Sequence, residues 1–159
     1  MARFEFQGIN EYAAKLYALD TESETMIKRA VYDGAKVVAD ATRAEISAIP
    51  TQTKNPEPGE PLGLLSYEKQ GLLEGVGLSE IKNESGYINT KLGFSGYNRL
   101  RSKKYPNGHP NALIARALQS GSTVRKKNAF MTRVIKASKE RAEAAMRARF
   151  DEDTEKAIQ

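Results

Sequence analysis

The segment PTQTKNPEPGEPLG, residues 50–63, holds four of the chain's six prolines. Proline lacks a backbone donor and fixes φ, so neither a regular helix nor a central strand can run through it. At this length the segment reads as an arm or a functional loop, poorly ordered alone and ordered against a neighbour.

Before it, TESE offers a capping box: the Thr21 hydroxyl can accept from the backbone of Glu24, whose carboxylate reaches back. A helix from about 21 to 49 follows, roughly 43 Å long at 1.5 Å per residue. Its expected inner stripe is Ile27, Ala30, Val31, Gly34, Val38, Ala41, Ala48 and Ile49, small enough for another element to approach closely. Glu45 interrupts that stripe, five whole turns after Ile27. It would pair with an Arg of a neighbouring subunit, act as a buried acid, or project beyond the core into water. Unpaired buried carboxylates are rare, which favours water. INEYAAKLYAL reads as a separate short helix with Tyr12, Leu16 and Leu19 on one stripe, and RFEFQ, with Phe4 and Phe6 on one side, as a short strand.

After the prolines, SYEKQGLLEGV reads as a short helix ended by Gly75 or Gly77. GYINTKLGF (86–94) alternates as a strand with Ile88, Thr90, Leu92 and Phe94 on one face, NESG is a turn, and VGLSEI is its hairpin partner. Pro110 suits the first turn of a helix carrying Leu113, Ile114, Ala117 and Leu118, which QSGST ends. A last helix starts from Asn128 as N-cap, with Met131, Val134, Ile135, Ser138, Ala142, Ala145 and Met146 inward, and the acidic tail at 151–159 frays. The expected architecture is one α+β domain over residues 1–159, its long N-terminal and C-terminal helices packed on a small antiparallel sheet.

Composition narrows the chemistry. With no cysteine, disulfides, thiolate catalysis and cysteine-ligated zinc are excluded. One histidine and no spaced carboxylate cluster leave no expected metal or cofactor. No apolar run approaches the roughly 20 residues that span a bilayer, and MARFEFQGINEY lacks a signal-peptide stretch, so a cytosolic product without membrane contact is expected. Charge is uneven: Arg99 to Arg149 hold 14 Lys/Arg against Glu140 and Glu143, leaving 11 basic and 18 acidic residues elsewhere. Such polarity points to nucleic acid or to self-association of unlike ends, although surface charge also serves solubility.

RLRSKKYPNGHPN contains the one histidine, His109, but only cations, Asn, Gly and Pro adjoin it. Acid–base work needs an orienting partner, so a structural histidine is the better reading. GLLEGVG resembles a phosphate loop superficially, but lacks the lysine and the preceding strand. The stronger features are two basic clusters: Arg99, Arg101, Lys103 and Lys104, interleaved with Tyr97 and Tyr105, and then Arg125, Lys126 and Lys127. They suit phosphates with stacked bases, or an acidic protein surface; no nucleic-acid-reading signature accompanies them.

The stretch LGFSGYNRLRSKKYPNGHPNALIARALQSGSTVRKKNAFMTRVI, residues 92–135, resembles the central and C-terminal core of a tailed-bacteriophage neck family, the tail-completion or tail-component proteins, which are similar to the Z-like minor tail proteins of lambda-like phages. The family pattern is a strand, a loop, a Gly with a small hydroxyl residue, then a Phe that opens the last helix; Gly121, Ser122, Thr123 and Phe130 match it. Gln119 and Ser120 stand where many members carry a glutamate before the glycine, and Ala129 where many carry proline. The resemblance implies a non-enzymatic virion subunit, made in the host bacterial cytoplasm. It implies a ring, of six subunits, that joins the capsid connector or head-completion protein to the tail terminator or tail tube, with genome DNA passing through its lumen. The two basic clusters would then be docking or DNA-facing surfaces. The alternative is a small nucleic-acid-binding protein that uses the same two loops.

Overall fold

A computed structural model of the chain describes residues 9–159, with side chains from residue 19 onward. The strand expected at RFEFQ lies outside the described residues. The elements run α1 (Ile9–Ala48), α2 (Ser66–Gly75), β1 (Val76–Leu78), β2 (Lys82–Glu84), β3 (Tyr87–Asn89), β4 (Leu92–Phe94), α3 (Asn111–Ser120) and α4 (Phe130–Ile158). The fold is α+β, dominated by the two long terminal helices.

α1 is one helix of 40 residues, about 60 Å long, and not a short helix followed by a second one capped at Thr21. Nothing in ALDTESETM breaks a helix, and the cap residues are used otherwise. Ser23 donates to the carbonyl of Asp20 at 2.8 Å, and Glu24 pairs forward with Lys28 at 2.6 Å. α4 runs antiparallel to α1: Glu45 meets Arg133, Gly34 meets Met146, and Arg29 meets Asp153. Small residues allow the approach. A Cβ on Gly34 would lie 2.3 Å from Cγ of Met146 and 3.2 Å from the carbonyl oxygen of Ala142.

Burial on α1 departs from the expected straight stripe. Ala30, Gly34 and Ile49 are buried, but so are Met26, Ala39, Thr42 and Ile46, while Ile27 and Ala48 face water. The reason is that α1 is covered on two sides, by α4 and by the strands β1 and β3. Thr42 and Ser138 enter this interface with their hydroxyls satisfied by the carbonyls four residues back, Val38 and Val134.

At the C-terminal end of α1 the elements α2, β4 and α3 with their loops form a head, whereas the β2–β3 hairpin lies along α1, with Asn83 hydrogen-bonded to Glu24. Ile46, Ile49, Leu64, Leu72, Ile114, Ala115, Leu118 and Phe130 make its core, with Phe94 edge-on to Phe130 at 6.1 Å. Lys69 of α2 donates to the carbonyls of Ser47 and Ile49 at 2.7 and 2.8 Å, supplying the cation that the last turn of α1 lacks. α3 buries Asn111, Ile114, Ala115 and Leu118; Ala115 replaces the expected Leu113, which is exposed. Gly71 and Gly75 serve packing, not phosphate: a Cβ on either would collide with Asn111 or the Ser95 carbonyl.

The strand expected over GYINTKLGF is split into β3 and β4. β2 pairs with β3, and β1 with β4, both antiparallel. Between the ladders the Ser79 hydroxyl accepts from the Lys91 amide at 2.9 Å, and the Thr90 hydroxyl donates to the Ser79 carbonyl at 2.8 Å, which interrupts the regular pairing. The distal turn is Ser85-Gly86, both at positive φ (55° and 89°), as a two-residue hairpin of matching twist requires.

α4 continues through residue 158, so the acidic tail expected to fray is helical. Asp153 anchors it, 5% exposed, accepting from Arg149 at 3.4 Å and from Arg29 of α1 at 3.5 Å. Asn128 is not the N-cap of α4. Gln119, from the end of α3, does that work: its side-chain oxygen accepts from the Met131 amide at 2.9 Å and its amide donates to Thr132 at 2.8 Å.

A candidate docking surface of two basic loops

The first basic cluster lies on a small closed loop. Asn98 donates its amide to the His109 carbonyl at 2.9 Å, and its side-chain oxygen accepts from the amides of Leu100 and His109. Further out, Ser102 and Tyr105 exchange backbone hydrogen bonds at 3.0 and 3.1 Å, which puts Lys103 and Lys104 at the tip of a tight turn. Gly108, at φ 106°, closes the base; a Cβ there would lie 2.0 Å from the Asn98 carbonyl oxygen. Tyr105 packs on His109 with ring centroids 4.9 Å apart, and the ammonium of Lys104 lies 5.5 Å over the Tyr105 ring. Among the described residues, no carboxylate pairs with Arg99, Arg101, Lys103, Lys104 or His109. The cations are exposed on a backbone that is already folded.

The second cluster divides. Arg125 is buried, and its guanidinium makes two hydrogen bonds to the Glu68 carboxylate, at 2.8 and 2.7 Å, and a third to the Gly63 carbonyl at 2.8 Å. Glu68, only 2% exposed, also accepts from the Leu65 amide at 3.0 Å at the start of α2. Burial, and then the Glu68 charge, push the neighbouring Tyr67 phenol above its ordinary range. Arg125 therefore leaves the set of docking residues: it ties its own loop to the end of the proline-rich segment and to the first turn of α2. Arg133 likewise answers the question of Glu45. The partner of Glu45 is an Arg of α4 in the same chain, with Glu45 partly buried and Arg133 exposed.

Lys126 and Lys127 remain exposed, and the fold brings them against the proline-rich segment. That segment has no regular structure, but its base is held. Gln52 donates its amide to the Leu64 carbonyl and accepts from the Gly63 amide on its side-chain oxygen, and Leu62 bonds to Val124 and Lys126 at 2.9 Å each. A groove of about 560 Å³ results, lined by Pro50, Pro56, Leu64 and Leu118, with Lys54, Lys126 and Lys127 and one carboxylate, Glu60, around it. The two basic surfaces do not merge. One loop enters α3 and the other leaves it, so they lie at opposite ends of a 10-residue helix, about 15 Å long.

Sequence reasoning missed the Glu68–Arg125 pair and the groove. A carboxylate at the third position of a helix was a visible signal of a cap, but nothing local linked it to an arginine 57 residues away. Comparisons with protein-family models, with curated proteins and with solved structures find no match to this chain. Among the described residues, no helix is long and apolar enough to cross a membrane.

Proposed function

We propose that this protein is a structural subunit of a tailed-phage neck or upper tail, assembling as a ring that joins the capsid connector to the tail tube. The observation that supports the reading best is the hairpin from Tyr97 to Pro110. It displays four exposed cations that, among the described residues, no carboxylate pairs, on a backbone held by its own hydrogen bonds. Preorganised charge of this kind costs little ordering on association and suits a fixed protein contact. The groove between the proline-rich segment and Lys126–Lys127 supplies a second contact of the same sign on the head. The resemblance of residues 92–135 to tail-completion proteins supplies the context.

The test is complementation. In a phage lacking this protein, a copy carrying Arg99→Glu, Arg101→Glu, Lys103→Glu and Lys104→Glu is expected to leave full heads and finished tails unjoined, while the wild-type copy joins them. Normal joining by the reversed copy would refute the docking role. The rival reading, a nucleic-acid-binding protein, rests on the same cations and on exposed Tyr97, and is separated by its salt dependence below.

A further inference from the structure

About midway along the helix pair, an apolar groove of about 380 Å³ stays open between α1 and α4. Ile27, Ala30, Val31, Met146 and Phe150 line it together with Glu143 and Arg147, and Ile27 and Phe150 are each 39% exposed. Leaving such side chains in water is unfavourable unless something covers them.

The surroundings of the groove say what kind of surface would cover it. On α1 the same helical stripe continues from Ile27 back through Glu24 to Asp20. The antiparallel pairing brings the last turns of α4, with Asp151, Glu152 and Glu155, to the same level. Glu24 and Glu152 are paired with Lys28 and Lys156, but among the described residues no cation pairs with Asp20, Glu22, Asp151 or Glu155. Glu155 also sits in the last turn of α4, at the negative end of the helix dipole, where a carboxylate weakens the helix. Its placement does not serve helix stability.

The complementary surface is on the head. Leu100 is 42% exposed, and it stands between Arg99 and Arg101 at the base of the turn that carries Lys103 and Lys104. An apolar side chain flanked by exposed cations matches an apolar groove whose wall carries Glu143 and Arg147 and whose far end is acidic. The hairpin cannot reach the groove of its own chain. It packs in the head beside Gly71, around the Ile46 end of α1, whereas the groove centres on Ile27, some five turns or roughly 28 Å further along.

We infer that the α1–α4 groove receives the 97–105 hairpin of a second copy of this chain. Each contact is heterologous and leaves one hairpin and one groove free, so the assembly either closes as a ring or grows as a filament. The inference takes its purpose from the assembly reading above, but it is tested on the isolated full chain, so self-association and head–tail joining fail or succeed separately.

The experiment is sedimentation of two variants, alone and mixed. One carries the four hairpin reversals Arg99→Glu, Arg101→Glu, Lys103→Glu and Lys104→Glu; the other carries Ile27→Lys and Phe150→Lys. All six positions are exposed, and thermal melts check folding; if either variant melts early, Leu100→Glu and Ile27→Lys replace the pair. The wild type is expected to sediment as concentration-dependent oligomers that salt weakens, and each variant alone as a monomer. An equimolar mixture should give a species of twice the monomer mass and nothing larger, because only one productive contact can form. A wild type that stays monomeric, a variant that assembles like the wild type, or a mixture that stays monomeric would each overturn the inference. In the last case the groove serves a different protein.

Discussion

Arg125, Lys126 and Lys127 are consecutive and carry the same charge, yet the fold uses them in opposite ways. Removing the Arg125 side chain leaves the Glu68 carboxylate buried without its partner. Arg125→Ala is therefore expected to cost about 3–5 kcal/mol, whereas Lys126→Ala and Lys127→Ala should change stability by less than about 0.5 kcal/mol. Chemical denaturation of the three variants checks this; equal effects would contradict the assignment of Arg125 to the interior. His109 is held against Tyr105 with no acidic partner among the described residues, so His109→Gln is expected to leave assembly intact. Loss of function in a correctly folded and assembled His109→Gln protein would reinstate a catalytic reading. From sequence, the basic run at 125–127 was visible as a run, but not the burial of its first member. That burial depends on where Glu68 arrives in three dimensions, and local pattern carries no such information.

Among the elements, those with strong periodicity were legible: α2, α3 and the body of both long helices lie where their apolar spacing puts them. Their boundaries were less so. The Thr21 capping box was a valid local signal overridden by an uninterrupted helix, and Asn128 was a valid cap displaced by Gln119 reaching across from α3. Gln119→Ala should accordingly lower stability by about 0.5–2 kcal/mol, as loss of a cap does, and Asn128→Ala by less. The basic hairpin depends on a backbone constraint in the same way. Gly108→Ala would force a side chain into positive φ and against the Asn98 carbonyl, at a cost of roughly 1–3 kcal/mol from backbone strain alone. It is expected to loosen the loop, raising amide exchange at Leu100 and His109, while α1 and α4 keep their protection. The proline-rich segment was recognised as irregular, but its tethered base came from pairing with residues 124–126, beyond any local pattern. Limited proteolysis should cut its exposed tip near residues 53–60 and spare the tied residues 62–64.

For the molecule as a whole, the antiparallel pairing of α1 and α4 turns a charge asymmetry in sequence into one in space. Residues 20–24 and 151–155 are far apart along the chain and lie toward the same end of the helix pair, away from the basic head. That pairing depends on the close approach at Gly34, where a bulkier side chain would separate the helices. Gly34→Leu should destabilise by about 1–3 kcal/mol and weaken self-association with it. The central claim is that the free cations of the head dock on protein. Of the two basic clusters, with Arg125 buried, six cations remain: Arg99, Arg101, Lys103, Lys104, Lys126 and Lys127. If they gripped DNA, the log–log slope of duplex affinity against salt would approach about −5, at roughly −0.9 per phosphate neutralised. The deciding measurement is the affinity of the isolated protein for duplex DNA across a salt series. Docking on protein requires feeble binding at physiological salt, unchanged when the hairpin charges are reversed; submicromolar, sequence-independent binding with a slope near that limit, abolished by the reversal, would contradict it.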